Sequence, residues 1–66
     1  MARQTLPVKS SALARVEYDD DSETLTVTFV NGRDYTHEGV PSQIVMALVN
    51  APSPGRFYAY AIKGIY

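Results

Sequence analysis

Residues Leu25 to Pro41 read LTVTFVNGRDYTHEGVP, and the way this string alternates and then turns says most about the chain. Leu25, Val27 and Phe29 take turns with Thr24, Thr26 and Thr28. That period of two belongs to a strand with one face in a core and one in water. Asn31-Gly32 follows at once, and glycine supplies the positive φ that a tight hairpin turn requires. Tyr35 and His37 sit two apart on the return strand, so both rings point to one face. Two registers remain open. A two-residue loop sets Tyr35 opposite Thr28, as the Asn-Gly dipeptide prefers. A three-residue loop, Val30-Asn31-Gly32 with a glycine bulge, sets Tyr35 opposite Val27. One residue of slip exchanges the faces of the whole strand. Burial favours the second register, because Asp34 and Thr36 then join the threonine face, and that is the one expected.

Working outward, Ala12 to Tyr18 reads as an earlier strand, with Ala14, Val16 and Tyr18 facing one way and Leu13, Arg15 and Glu17 the other. Leu13 spoils the alternation and leaves the start of the strand open. Asp19-Asp20-Asp21-Ser22 is a turn, since short acidic side chains bond their own backbone. With Glu23 these carboxylates resemble a calcium loop in composition, but the central glycine and distal glutamate of that loop are missing, and no metal site is expected. Residues 1–8 carry no period, and Pro7 bars them from a central strand, so they are expected to form an extended arm.

Downstream, Val40-Pro41-Ser42 opens a helix, with proline where a missing N–H costs nothing. Ile44, Val45, Ala47, Leu48, Val49 and Ala51 form its apolar stripe, and Pro52 stops it. Ser53-Pro54 begins a second short helix. On it Phe57 pairs with Ala61 and Tyr58 with Ile62, and Gly64 ends it. The expected fold is α+β: a three-stranded antiparallel meander followed by two short helices packed on one face, β-β-β-α-α, in a single domain spanning residues 1–66.

The composition narrows the function. A chain of 66 residues buries only about 60% of the surface exposed when unfolded, so its core is small and a homo-oligomer would enlarge it. There is no cysteine to staple the fold or bind metal. Six basic residues against seven acidic ones give a formal charge of −1, which argues against a generally basic nucleic-acid binder and leaves room for a local basic patch. No apolar run approaches the ~20 residues of a membrane span, and the N-terminus lacks the apolar core of a secretion signal. The expected compartment is the cytoplasm, with no membrane partner.

At this point the chain resembles a known family. VKSSALARVEYD from Val8 to Asp19, LTVTF from Leu25 to Phe29 and the turn Asn31-Gly32 fall in its order and spacing. So do Tyr35-Thr36-His37, Val40-Pro41, Ala51-Pro52-Ser53 and the run GRFYAYAIK from Gly55 to Lys63. Together they are similar to the KTSC domain, a module named for its place at the C-terminus of some lysyl-tRNA synthetases and also found as a free-standing bacterial or phage protein. The family's Tyr-x-Tyr stands here as Tyr35-Thr36-His37, so a titratable ring replaces a phenol. Its aromatic-aromatic-Asn stands as Phe57-Tyr58-Ala59, and Glu17 occupies a position where glycine is common. The resemblance implies the small α+β fold and, through the company of a synthetase, hints at RNA.

Catalysis is not expected. Ser10 and Ser11 have no base placed near them by spacing, and the acidic residues cluster in a turn that suits solvation. No catalytic residue and no cofactor are assigned. A non-catalytic binding domain is the expectation, taking RNA or a nucleotide on aromatic rings flanked by cations. The candidates are Arg33, Tyr35 and His37 on the sheet, with Arg56, Tyr58, Tyr60 and Lys63 forming a second patch on the last helix. The alternative is a small protein-interaction or regulatory module that uses a sheet edge or helix face to hold a protein partner, or a second copy as a homodimer. Each ring also has a plain structural use, since tyrosines in small domains bury the ring and leave the hydroxyl at the surface.

Overall fold

The computed structural model describes residues 3–66. Four strands form one antiparallel sheet in sequential order: β1 (Arg3–Leu6), β2 (Leu13–Asp19), β3 (Thr24–Phe29) and β4 (Asp34–His37). Helices α1 (Ser42–Asn50) and α2 (Pro54–Ala61) follow. The α+β class with two helices stands as expected, but the sheet has four strands rather than three. The additional strand lies in the stretch expected to be an arm: Gln4 pairs with Tyr18 and Leu6 with Val16. Met1 and Ala2, the start of that expected arm, lie outside the described residues. β1 escaped notice because it is an edge strand: Arg3, Gln4 and Thr5 are exposed, Leu6 alone is half-buried, and no alternation is needed. Pro7 follows directly, where a missing donor interrupts no central ladder.

The β3–β4 hairpin adopts the register that burial favoured, with Val27 opposite Tyr35 and Leu25 opposite His37. The loop closes through Phe29 N–H to the Arg33 carbonyl at 2.8 Å and Gly32 N–H to the Phe29 carbonyl at 2.9 Å. Gly32 has φ +90°, which an L side chain would resist. In β2 the expected faces need one correction. Leu13 is buried and Ala14 exposed, because the register slips between Leu13 and Arg15. This bulge turns Leu13 onto the face of Val16 and Tyr18, which the simple alternation had denied it.

One face of the sheet is the core. Leu13, Val16, Tyr18, Leu25 and Val27 meet Val45 and Leu48 from α1, Tyr58 from α2 and Ile62 from the C-cap of α2. Ala47 of the expected stripe is exposed. The other face carries Thr5, Glu17, Thr26 and Thr36 in one row across all four strands, with Arg15, Thr28 and Asp34 beside it. It is a solvated surface without a ring. The chain returns from β4 to α1 through Val40, which is fully buried. Its N–H donates to the Glu23 carbonyl at 3.0 Å and its carbonyl accepts from the Tyr18 hydroxyl at 2.6 Å. Those two bonds tie the crossing to the β2–β3 hairpin and so set where α1 lands. Pro41 takes the N-cap position in extended geometry, and Ala51 at the other end is again extended. The residue before Pro52 avoids the helical region, which accounts for that end.

Candidate functional site

Because Tyr35 and His37 share the face of Leu25 and Val27, they point toward the helices rather than the threonine surface. β4 is the last strand, and α2 does not reach over it fully. The rings are therefore left at the rim of the core, with Tyr35 42% exposed and His37 half-buried. Tyr58 comes down from α2 to meet them and is 4% exposed. Phe29 completes the group from the end of β3. Ring centroids lie 5.5 Å apart for Phe29 and Tyr35, 5.3 Å for Phe29 and Tyr58, and 5.4 Å for His37 and Tyr58, all edge-on. Tyr35 and Tyr58 lie 6.5 Å apart with planes tilted by 41°. Such edge contacts hold rings rigidly in place.

A hydrogen-bond chain orders the polar edge of this cluster. His37 Nε2 lies 2.7 Å from the Tyr58 hydroxyl, and His37 Nδ1 lies 3.3 Å from the main-chain oxygen of Tyr66. A main-chain oxygen can only accept, so the neutral ring carries its proton on Nδ1. Nε2 is then the acceptor, and the Tyr58 hydroxyl donates to it. Burial, and then the neighbouring Tyr35, raise the Tyr58 pKa above its ordinary 10.0, which keeps that hydroxyl protonated and donating.

These groups wall a pocket of about 320 Å³ lined by Phe29, Asn31, Arg33, Tyr35, His37, Tyr58 and Lys63. Arg33 enters from the β3–β4 loop, whose geometry Asn31 supports by accepting the Arg33 N–H on Oδ1 at 3.0 Å. Lys63 enters from just beyond α2, where its N–H donates to the Tyr58 carbonyl at 2.9 Å. No carboxylate is among the lining residues, and neither cation is paired with a described residue. A chain of net charge −1 thus presents a locally positive, ring-walled pocket.

Five of the seven candidates meet here: Arg33, Tyr35, His37, Tyr58 and Lys63. Arg56 and Tyr60 do not. The helix turns about 100° per residue, so residues two apart face about 200° away from each other. Tyr58 faces the core, while Arg56 and Tyr60 share the opposite, exposed side of α2. Tyr60 is 70% exposed and rests edge-on against Phe57. The expected second patch is therefore divided: Tyr58 and Lys63 join the sheet residues, and Arg56 and Tyr60 lie apart from them. Phe29 and Asn31 were missed. Phe29 counted only as a core residue of its strand, and Asn31 only as a turn former.

Elsewhere, Asp19, Asp20 and Asp21 bring carboxylate oxygens within 4.8 Å of one another. Asp19 Oδ1 accepts the N–H groups of Asp21 and Ser22, which is the work of a turn residue. No helix among the described residues is long and apolar enough to cross a membrane.

A four-stranded sheet roofed on one face by two short helices, with a ring-lined pocket at its rim, defines a small α+β domain of one recognisable kind. The chain belongs to the KTSC domain family, whose model matches residues 9–66. It is similar in structure to a KTSC domain protein from Yersinia pestis known from a crystal structure, with a TM-score of 0.87 and 36% identity, over 97% of this chain and 90% of that one. An uncharacterised protein of Stutzerimonas stutzeri is 38% identical over 56 residues, which cover 85% of this chain and 79% of that protein. A lysine–tRNA ligase of Nostoc punctiforme is 34% identical over 59 residues, 89% of this chain but 10% of the ligase.

Proposed function

We propose that this chain is a non-catalytic binding domain for RNA or a nucleotide, with the rim pocket as its site. The observation that supports the reading is the convergence of three aromatic walls, a histidine and two cations, neither paired with a described residue, on one cavity whose lining residues include no Asp or Glu. Flat rings accept a base of any identity by stacking, and arginine or lysine beside them meets its phosphate. Similarity to a segment of a lysine–tRNA ligase is in keeping with an RNA-related ligand. The test is a titration of the chain with single-stranded RNA and with mononucleotides at two salt concentrations. Binding should weaken with salt and with Tyr35→Ala or Arg33→Gln, while circular dichroism stays unchanged. Arg56→Ala, on the far side of α2, serves as the control. Absence of binding to both ligand types at low salt would sink the reading.

The competing reading, a protein-interaction or self-association module, draws on β4, an outer strand whose free side could pair with another chain. Light scattering on the same samples separates the two. A defined dimer with no nucleotide affinity favours the edge.

A further inference from the structure

We infer that the pocket is built for a single nucleotide unit ending in a phosphate monoester, either a free mononucleotide or the phosphorylated end of a strand, and not for a run of internal nucleotides. This rests on the nucleotide-binding reading above and narrows it. Volume is the first reason. At about 320 Å³ the cavity lies at the lower end of the roughly 300–1,000 Å³ typical of small-molecule sites.

The disposition of the rings is the second. An extended strand needs rings laid in succession along a surface. Here Phe29, Tyr35, His37 and Tyr58 are packed edge-on to one another around one spot. Among the described residues the rings do not run on as a track: the broad sheet surface of Thr26, Thr28 and Thr36 has none, the Phe57–Tyr60 pair is on α2 with Tyr60 facing away from Tyr58, and Tyr66 meets the cluster through its main-chain oxygen on His37.

Charge is the third reason. Arg33 and Lys63 bring two cations, and no lining carboxylate offsets them. A phosphate monoester carries a charge of about −1.5 to −2 at neutral pH, against about −1 for each internal diester of a strand. Two cations at a one-unit cavity match the first. The Tyr58–His37–Tyr66 hydrogen-bond chain fixes the orientation of the His37 ring in this wall.

The experiment uses the ¹⁵N-labelled full chain and four probes: adenosine, adenosine 5′-monophosphate, and a hexa-adenylate with and without a 5′-phosphate. The monophosphate should shift the amides of Phe29, Arg33, Tyr35, His37 and Lys63. Adenosine should bind about tenfold or more weakly, the loss expected when charge-assisted bonds are removed. The phosphorylated hexamer should match the monophosphate if strand ends are accepted, or fall well below it if only free nucleotides are. Both results uphold the inference and tell the two sources apart. Arg33→Gln and Lys63→Gln should each erase most of the preference for the phosphate. If affinity instead climbs with length regardless of the terminal phosphate, with shifts spreading to Thr26, Thr36 or Tyr60, the one-unit site is wrong while nucleic-acid binding stands. If none of the four probes shifts a pocket amide, both readings fall.

Discussion

Tyr18 and Tyr58 each place a hydroxyl where phenylalanine would leave a partner unmet. Tyr18 donates to the buried Val40 carbonyl, so Tyr18→Phe should cost about 1–2 kcal/mol, read from urea midpoints. The two phenols also set an alkaline limit. Burial first, then the Glu23, Asp20 and Asp19 carboxylates, raise the Tyr18 pKa above 10.0. Burial, then Tyr35, does the same for Tyr58. Above pH 10 the unfolded chain loses phenolic protons that the folded chain keeps, so stability falls as pH rises. Below that pH the contribution is fully present and flat. Urea midpoints should hold steady to about pH 9 and drop beyond 10, and the drop should be shallower in Tyr18→Phe. An equal drop in the variant would show that Tyr18 is not a source of it. His37 is tied at both nitrogens. Sequence could supply the residue type there but not these partners, since Tyr58 and Tyr66 lie 21 and 29 residues away.

At the scale of elements, legibility followed amphipathicity. β3 and both helices declare themselves by period and by Pro41, Pro52 and Pro54, because each has one wet and one dry face. β4, no more buried than β1, is legible instead through the Asn31-Gly32 turn that folds it back onto β3. β1 has almost no dry face, and its four residues are held by backbone pairing that leaves no mark on side-chain order. The bulge at the start of β2 did leave a mark, the misplaced Leu13, but an irregular alternation says only that something slips, not where. The division of the α2 candidates was within reach, since helical phase alone separates Tyr58 from Arg56 and Tyr60. Where Lys63 would point was not, because it lies past the last helical turn. Since β1 and β4 are opposite edges of the sheet, they should be separable by mutation. Leu6→Asp should lower stability by about 1–2 kcal/mol and leave ligand affinity at the rim pocket unchanged. A parallel loss of affinity would mean that the pocket depends on the far edge.

Taken whole, the molecule separates its global charge from its local one. Long-range attraction of a polyanion by a chain of charge −1 is weak, so affinity must come from Arg33 and Lys63 at close range. Two contacts on a single-stranded ligand predict a slope of log affinity on log salt of about −1.4. Either glutamine variant should halve it, and Arg56→Ala should leave it alone. A slope several times steeper would mean that a far larger cationic surface takes part. The core is equally spare: Leu48 is fully buried in a small cluster with no disulfide beneath it, and Leu48→Ala should cost about 2–5 kcal/mol, enough to unfold much of the population. Against that background the two bonds at Val40 acquire a kinetic meaning. The residue belongs to neither a strand nor a helix, yet it is fully buried, with its N–H held by Glu23 and its carbonyl by Tyr18 of the β2–β3 hairpin. In deuterated buffer it should exchange on the slow clock of complete unfolding, beside the amides of Val16 and Val27, while its neighbours Gly39 and Glu38 exchange at once.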